Sequence, residues 1–161
     1  MVIGEKEKET SSVFTKLAGK RKSPLVFASD QFIIKSIGLG QKGHEIKIRD
    51  LESGKVLTYF LESPGLTQLK NIPGVLSVAN ILKDKGYNIT LEDVKYGIEH
   101  YQKSTGLKGR WQLLNMKPRV IADIAHNEAG LENITRQLVG LKKRKLYCIL
   151  GFMKEKDVAQ I

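Results

Sequence analysis

The residue types best suited to chemistry lie in one stretch, where Gly109-Arg110-Trp111 precedes the string Asp123-Ile124-Ala125-His126-Asn127. The guanidinium of Arg110 is always charged and can grip phosphate oxygens with a bidentate fork of hydrogen bonds. The carboxylate of Asp123 can accept hydrogen bonds from hydroxyl groups, and the imidazole of His126 can transfer a proton or position a ligand. Taken alone, however, these residue types fit a surface arginine, a strand-end carboxylate and a histidine at the start of a helix as well as they fit a ligand site. Asn127 is better interpreted as a helix N-cap and Trp111 as core packing.

Alternating strand and helix patterns predict where these residues lie. Such alternation is typical of an α/β fold with a parallel sheet and right-handed crossovers. Sheets of this kind bind ligands at the carboxyl ends of their strands, so we expect a site at Asp123 to Asn127 and at Gly151-Phe152-Met153. The predicted elements are a strand to about Asn115, a strand over Arg119–Ile124, a helix over Glu128–Leu141, a strand over Lys145–Leu150 and the start of a helix near Lys156.

The first part of the chain predicts a helix and a short strand, followed by a β-meander. Thr10 to Ser12 precede an apolar helical pattern, and the run Leu25–Ala28 follows as a strand. The three meander strands are predicted over Gln31–Leu39, His44–Arg49 and Lys55–Leu61. His44 and His100 are both expected at the surface.

Two further helices are predicted between the meander and the site. One begins past Pro64-Gly65, with Pro73 near its first turn and Gly86 as its stop. Thr90, with Asp93 three residues on, caps a helix that runs to about Lys103. The segment Ser104–Gly109 is a linker, and it separates a first domain (1–107) from a second (108–161).

Composition narrows the class of protein without naming a partner. The 161 residues are 41% hydrophobic, carry a net charge of +10 and contain one cysteine, Cys148, which we expect to be a buried thiol in an apolar run. The basic surface attracts anions, but the run 142–145 is interpreted as solvated cations near a helix C-terminus. No run could span a bilayer and no signal peptide is evident, so a cytoplasmic location is expected.

The Gly-Arg-Trp element and the Asp-x-Ala-His-Asn string resemble the C-terminal domain of folylpolyglutamate and dihydrofolate synthases, in the Mur ligase superfamily. Three further segments agree in order. They are Val2-Ile3-Gly4-Glu5, Pro64 to Asn71 with its Gly-x-x-Gln-x-x-Asn pattern, and Gly151 to Asp157 with its Gly-x-x-x-x-Lys-Asp pattern. The resemblance implies the end of a Mur-ligase-type central domain followed by part of a Rossmann-like domain.

This resemblance also implies a reaction and a set of site residues. ATP would phosphorylate a carboxylate of folate or dihydropteroate, and the amine of L-glutamate would displace the phosphate. Asn71, Arg110 and Asp123 would bind ATP, with Asn71 on the adenosine and Asp123 on the ribose. Asp123 and His126 would form the catalytic set.

Three features depart from that family. The phosphate loop is missing, because no Gly-Lys-Ser or Gly-Lys-Thr occurs in the sequence. We therefore expect a C-terminal fragment that is inactive alone, with the Mg²⁺ ligands upstream and none named here. The family's usual Gly after the Asp is Ile124 in this sequence, and its usual Pro after the Asn is Glu128.

Two alternatives stay open on the sequence. A Mur-type ligase of peptidoglycan precursors would share the fold and use another substrate. A basic, non-catalytic nucleic-acid-binding module is of another class, and it is disfavoured because the cations are not interleaved with aromatic residues. We expect no membrane or nucleic-acid partner and a monomeric parent enzyme.

Overall fold

A computed structural model describes residues 1–40, 43–61 and 65–153 of the chain. Helices and strands are mixed in it, so the predicted α/β class is confirmed. The strands are β1 (Val2–Ile3), β2 (Val26–Phe27), β3 (Phe32–Gly40), β4 (Gly43–Asp50), β5 (Val56–Leu61), β6 (Gln112–Met116) and β7 (Arg119–Ala122). The helices are α1 (Ser11–Lys20), α2 (Leu66–Asp84), α3 (Leu91–Glu99), α4 (Tyr101–Thr105) and α5 (Glu128–Val139).

The strands form three small sheets of different types. β1 and β2 pair in parallel, with Val2 opposite Val26, and α1 lies between them in sequence as the crossover helix. β3, β4 and β5 form the predicted antiparallel meander. β6 and β7 also pair antiparallel, because the two residues between them can close a hairpin but cannot make the long crossover that parallel pairing needs.

The main core lies between one face of the meander and helices α2 and α3. Side chains alternate along β4, so Ile46 and Ile48 face inward and are almost fully buried. The other core members are Phe32, Tyr59, Leu61, Ile72, Leu76 and Ile98. Burial of these side chains fixes α2 on the sheet, since each contributes about 1.5–3 kcal/mol relative to an exposed position.

Helix α2 begins earlier than the sequence indicates. Its first residue is Leu66 with Gly65 as the N-cap, so Pro73 lies inside the helix and not in its first turn. Proline there lacks the N–H that would bond the carbonyl of Leu69. Pro73 is buried beside the core residue Ile72, and this packing offsets part of the lost hydrogen bond. The predicted stop is confirmed, because Gly86 follows the helix with a φ of +89°.

The helix predicted from Thr90 to Lys103 is two helices. The capping box is confirmed: the Thr90 hydroxyl accepts from the Asp93 N–H, and the Asp93 carboxylate accepts from the Thr90 N–H at 2.8 Å. The hydrogen bonds from Thr90 lower the pKa of Asp93. The helix then breaks at His100, whose φ of −117° is not helical, and α4 ends at Gly106 in the left-handed region.

The predicted strand Lys145–Leu150 is wrong for the described residues. The segment lies exposed with no strand beside it, and the side chain of Ile149 is 99% exposed. A strand needs a neighbour for its backbone hydrogen bonds, and the described chain supplies none here. The thiol of Cys148 is accordingly exposed and not buried. The helix predicted near Lys156 lies outside the described residues.

The basic run after α5 contributes to the end of that helix. The ammonium of Lys143 donates to the carbonyl oxygen of Leu138 and contacts that of Leu141 at 3.5 Å. Terminal carbonyls carry partial negative charge, so a cation stabilises them. This geometry agrees with the solvated-cation interpretation of the run.

His44 was expected at the surface, but its side chain is only 5% exposed. It has the same parity on β4 as Ile46 and Ile48, and therefore faces the same core. Its Nδ1 has no hydrogen-bond partner in the described part of the chain. Burial lowers the pKa of His44, because the imidazolium loses its hydration there.

We predict that the stability of this chain falls in mild acid through His44. Its pKa is lower in the folded chain than in the unfolded chain, where it is about 6.5, so protons bind the unfolded chain better. The stabilisation is complete above about pH 6.5 and is lost as the pH falls below that value. Urea unfolding at about pH 8 and pH 5 should show a smaller pH dependence in His44→Leu than in the natural chain. Equal pH dependence in the two chains would contradict the prediction.

Candidate functional site

A tight turn at the start of the β6–β7 hairpin holds Arg110. Both flanking residues have left-handed backbones, with φ of +69° at Gly109 and +51° at Trp111. Such a φ is strained for a residue with a bulky side chain, so the surrounding structure must hold Trp111 in it. Gly109 has no such strain, but no side chain would fit, since a Cβ there would lie 2.4 Å from Cγ2 of Ile124.

Backbone hydrogen bonds tie this turn to the end of β7. The carbonyl oxygen of Gly109 accepts from the Ile124 N–H at 2.8 Å. The Gly109 N–H donates to Oε1 of Gln112 at 2.9 Å. The peptides on either side of Gly109 are therefore fixed against the hairpin.

Asp123 makes the third link, and it uses both carboxylate oxygens. Oδ2 accepts from the Trp111 N–H at 2.7 Å, and Oδ1 accepts from the Ala125 N–H at 2.8 Å. The two bonds are short, as hydrogen bonds to a charged acceptor are. A carboxylate can accept about four hydrogen bonds, so lone pairs remain for a ligand hydroxyl.

Arg110 itself is half-buried and has no hydrogen bond or ion pair to a carboxylate of the described residues. Its positive charge is thus not neutralised by the described chain. A guanidinium in this state attracts an anion strongly, and its planar fork matches phosphate or carboxylate oxygens. The site can therefore hold an oxyanion at the turn.

His126 lies just beyond β7, with its side chain exposed. Its Nδ1 is 3.1 Å from the carbonyl oxygen of Ile124. A carbonyl only accepts, so we assign the proton of the neutral ring to Nδ1 and the acceptor role to Nε2. This tautomer suits Nε2 to receive a proton.

The N-cap role of Asn127 is confirmed. Its Oδ1 accepts from the Gly130 N–H at 2.9 Å, which fixes the first turn of α5. A Cβ on Gly130 would meet Asn127 Oδ1 at 2.8 Å and Ala125 at 2.9 Å, so the turn has room for glycine alone. His126 therefore precedes the positive end of a helix dipole, where negative charge is favoured.

Asn71 lies elsewhere, on a cleft between α2, α1 and the end of β1. The cleft has a volume of about 410 Å³ and is lined by Ile3, Gly4, Glu5, Glu7, Thr10, Phe14, Thr67, Lys70 and Asn71. Nζ of Lys70 and Oε2 of Glu5 are 3.3 Å apart, so an ion pair forms at its margin. Lys70 is a cleft residue that no sequence motif predicts. Its partner is 65 positions away in the chain, and no local pattern links them.

Helix α2 connects the cleft with the turn. Gly65, its N-cap, is close enough to Trp111 that a Cβ there would lie 3.5 Å from the Cβ of Trp111. Trp111 is 8% exposed, which confirms its packing role. The structure thus gathers Arg110, Asp123 and His126 at the hairpin and joins them to Asn71 through one helix.

No metal site is assigned. The described ranges contain no group of three His, Cys, Asp or Glu residues that could hold a metal ion. By themselves, the described residues do not fit a magnesium site. No helix in the described ranges is both long and apolar enough to cross a membrane.

Comparison with known proteins matches the second part of the chain to a ligase family. Residues 109–161 match the family described as Mur ligase, glutamate ligase domain. A dihydrofolate synthase/folylpolyglutamate synthase of Escherichia coli is 30% identical over 88 residues, which cover 54% of this chain and 20% of that protein. A UDP-N-acetylmuramoyl-L-alanyl-D-glutamate–2,6-diaminopimelate ligase of Prochlorococcus marinus is 33% identical over 95 residues, 54% of this chain and 18% of that protein. The chain spans about a fifth of the length of these relatives.

Solved structures match more of the chain. A mutant folylpolyglutamate synthase of Lactobacillus casei aligns with a TM-score of 0.73 at 16% identity, over 89% of this chain and 34% of that one. The folylpolyglutamate synthase of Thermotoga maritima aligns with a TM-score of 0.65 at 23% identity, over 85% and 31%. Residues 109–161 thus match the Mur ligase, glutamate ligase domain family. The fold of the chain is that of the folylpolyglutamate synthase structures, as the sequence resemblance predicted.

We predict that Gly109→Ala destabilises the chain by about 2–4 kcal/mol, from the clash with Ile124 together with left-handed strain. Gly54→Ala is the matched control, since Gly54 has a φ of +70° and open space around it. It should cost only about 1 kcal/mol. Adding Ile124→Ala to Gly109→Ala should restore part of the loss in urea unfolding. Equal losses for Gly54→Ala and Gly109→Ala would refute the clash.

Proposed function

We propose that this chain is the adenosine-facing part of an ATP-dependent ligase that joins L-glutamate to a folate, or to dihydropteroate, by an amide bond. The observation that carries the proposal is the locked turn, which presents the unneutralised Arg110 beside the Asp123 carboxylate. An oxyanion-binding group next to a hydroxyl-binding group suits the phosphates and ribose of a nucleotide. Similarity to the folylpolyglutamate synthase of Escherichia coli supports the choice of substrates.

The reaction has two steps, the formation of an acyl phosphate and its displacement by an amine. A substrate carboxylate oxygen attacks the γ-phosphorus of ATP, and ADP leaves with an acyl phosphate formed. The amine of glutamate then attacks the acyl carbon, phosphate leaves and the amine loses a proton. Both steps develop charge on phosphoryl oxygens, and fixed cations and dipoles lower that barrier.

Arg110 would stabilise this charge, because the backbone that carries its guanidinium is fixed at the turn before the ligand arrives. Asp123 would accept from the ribose hydroxyls with the lone pairs that its two backbone bonds leave over. Nε2 of His126 would receive the amine proton or orient the incoming glutamate. Asn71 would contact the adenosine from the cleft beside α2, which is consistent with a nucleotide bound between residues 1–107 and 108–161.

The 161-residue chain alone is not expected to ligate. A phosphate loop holds the triphosphate with backbone amides and a lysine, and this sequence contains no such loop. The phosphate loop and the magnesium ligands would therefore lie in a longer parent protein. One structural neighbour is a complex of folylpolyglutamate synthase with AMPPCP and folate, and this supports nucleotide and folate as the ligand classes.

A second candidate function has its own observation. The Prochlorococcus marinus relative is slightly more identical than the Escherichia coli one, and its name specifies a muramyl nucleotide and diaminopimelate. Both classes of ligase would use the same nucleotide site. Substrate alone distinguishes them.

We predict that the parent enzyme incorporates labelled glutamate into tetrahydrofolate only when ATP is present. Arg110→Ala, Asp123→Ala and His126→Ala should each lower turnover by at least about 100-fold, because each removes a group placed for phosphoryl or amine chemistry. Asp84→Ala, at the exposed end of α2, is the control and should retain activity. A parent that ligates diaminopimelate to a muramyl nucleotide and no glutamate to folate would establish the second candidate.

A further inference from the structure

Arg110 owes its position to groups outside its own side chain. The residues on both sides of it have left-handed φ angles, and the peptide that follows it donates its N–H to Asp123. Left-handed backbone is strained at a tryptophan. The charged hydrogen bond from the Trp111 N–H to Oδ2 of Asp123 offsets this strain.

The other oxygen of Asp123 holds the chain on the far side of the site. Oδ1 binds the Ala125 N–H, one residue before His126. One carboxylate therefore fixes both the turn with Arg110 and the segment with His126. An amide side chain has a single acceptor oxygen, so asparagine could satisfy one of these two N–H groups and would face the other with a donor.

Trp111 connects the turn that holds Arg110 to helix α2. Its side chain is buried, and it packs against Gly65 at the start of α2. Further along α2, Asn71 lines the cleft and Ile72 and Leu76 enter the main core. The turn thus contacts the first residues of a helix that packs into the main core.

We propose that Asp123 is a positioning residue for Arg110, acting through the backbone of Trp111 and the contact of Trp111 with Gly65. This rests on the proposed function for the nucleotide site and adds to it a role that is separate from any ribose contact. Its consequence is that Asp123 supports the binding of a polyphosphate that has no ribose. A carboxylate that only contacts ribose would leave such binding unchanged.

The test is the affinity of the parent enzyme for inorganic triphosphate and for ATP at about 0.15 M salt, where surface charges are screened beyond roughly 8 Å. Asp123→Asn should weaken triphosphate binding by about tenfold, the equivalent of one charged hydrogen bond, and nearly as much as Arg110→Ala does. The matched control Asp84→Asn removes the same charge at an exposed position and should leave the affinity unchanged. The backbone amide proton of Trp111 in the NMR spectrum should move upfield in Asp123→Asn, because its charged acceptor is lost.

A second variant leaves Asp123 in place, in case Asp123→Asn does not fold. Gly65→Val adds methyl groups toward Trp111, and it should also weaken triphosphate binding. Unchanged triphosphate affinity with weakened ATP affinity in Asp123→Asn would overturn the positioning role and leave a ribose contact. A natural parent enzyme that binds neither triphosphate nor ATP would instead refute the nucleotide site, and the positioning role with it.

Discussion

The carboxylate of Asp123 is the interaction on which the candidate site depends. Its two oxygens bind backbone N–H groups from either side of the β6–β7 hairpin, at 2.7 and 2.8 Å. Without it, the strained backbone of Trp111 would have no charged acceptor to hold it. Relaxation of that turn would move Arg110, because the guanidinium follows the backbone that carries it. A single half-buried hydrogen-bonding group thus sets the geometry of a cationic site.

Helix α2 makes this local constraint part of the whole fold. One part of the helix packs on the meander through Ile72 and Leu76, and its first turn meets Trp111 at Gly65. The hydrophobic core and the turn that carries Arg110 therefore contact the same helix. A site between two parts of a chain needs such an element, since small misplacements of charged groups cost much of their effect. The internal Pro73 does not break the helix, because buried neighbours surround it.

Net charge is a weak guide to function in this chain. Several of the basic residues that give the charge of +10 have partners within the chain. Lys143 donates to a carbonyl oxygen at the end of α5, and Lys70 and Lys6 pair with carboxylates. Arg110 differs, because the described residues offer its charge no carboxylate. The location of one unneutralised cation in a rigid turn therefore says more about the ligand than the total does. The choice between a folate and a muramyl nucleotide depends on the residues that bind those substrates and not on Arg110.

The sequence by itself determined the local features of this protein. The meander, the Thr90 capping box, the Asn127 cap and the Gly-Arg-Trp and Asp-x-Ala-His-Asn strings all depend on residues close together in the chain, so spacing and residue type sufficed. Only the tertiary structure decided that His44 is buried and that 145–150 has no strand beside it. It also decided that Asp123 binds Trp111 and that Trp111 meets Gly65. These outcomes depend on which distant segments come into contact, and local propensity does not encode that information.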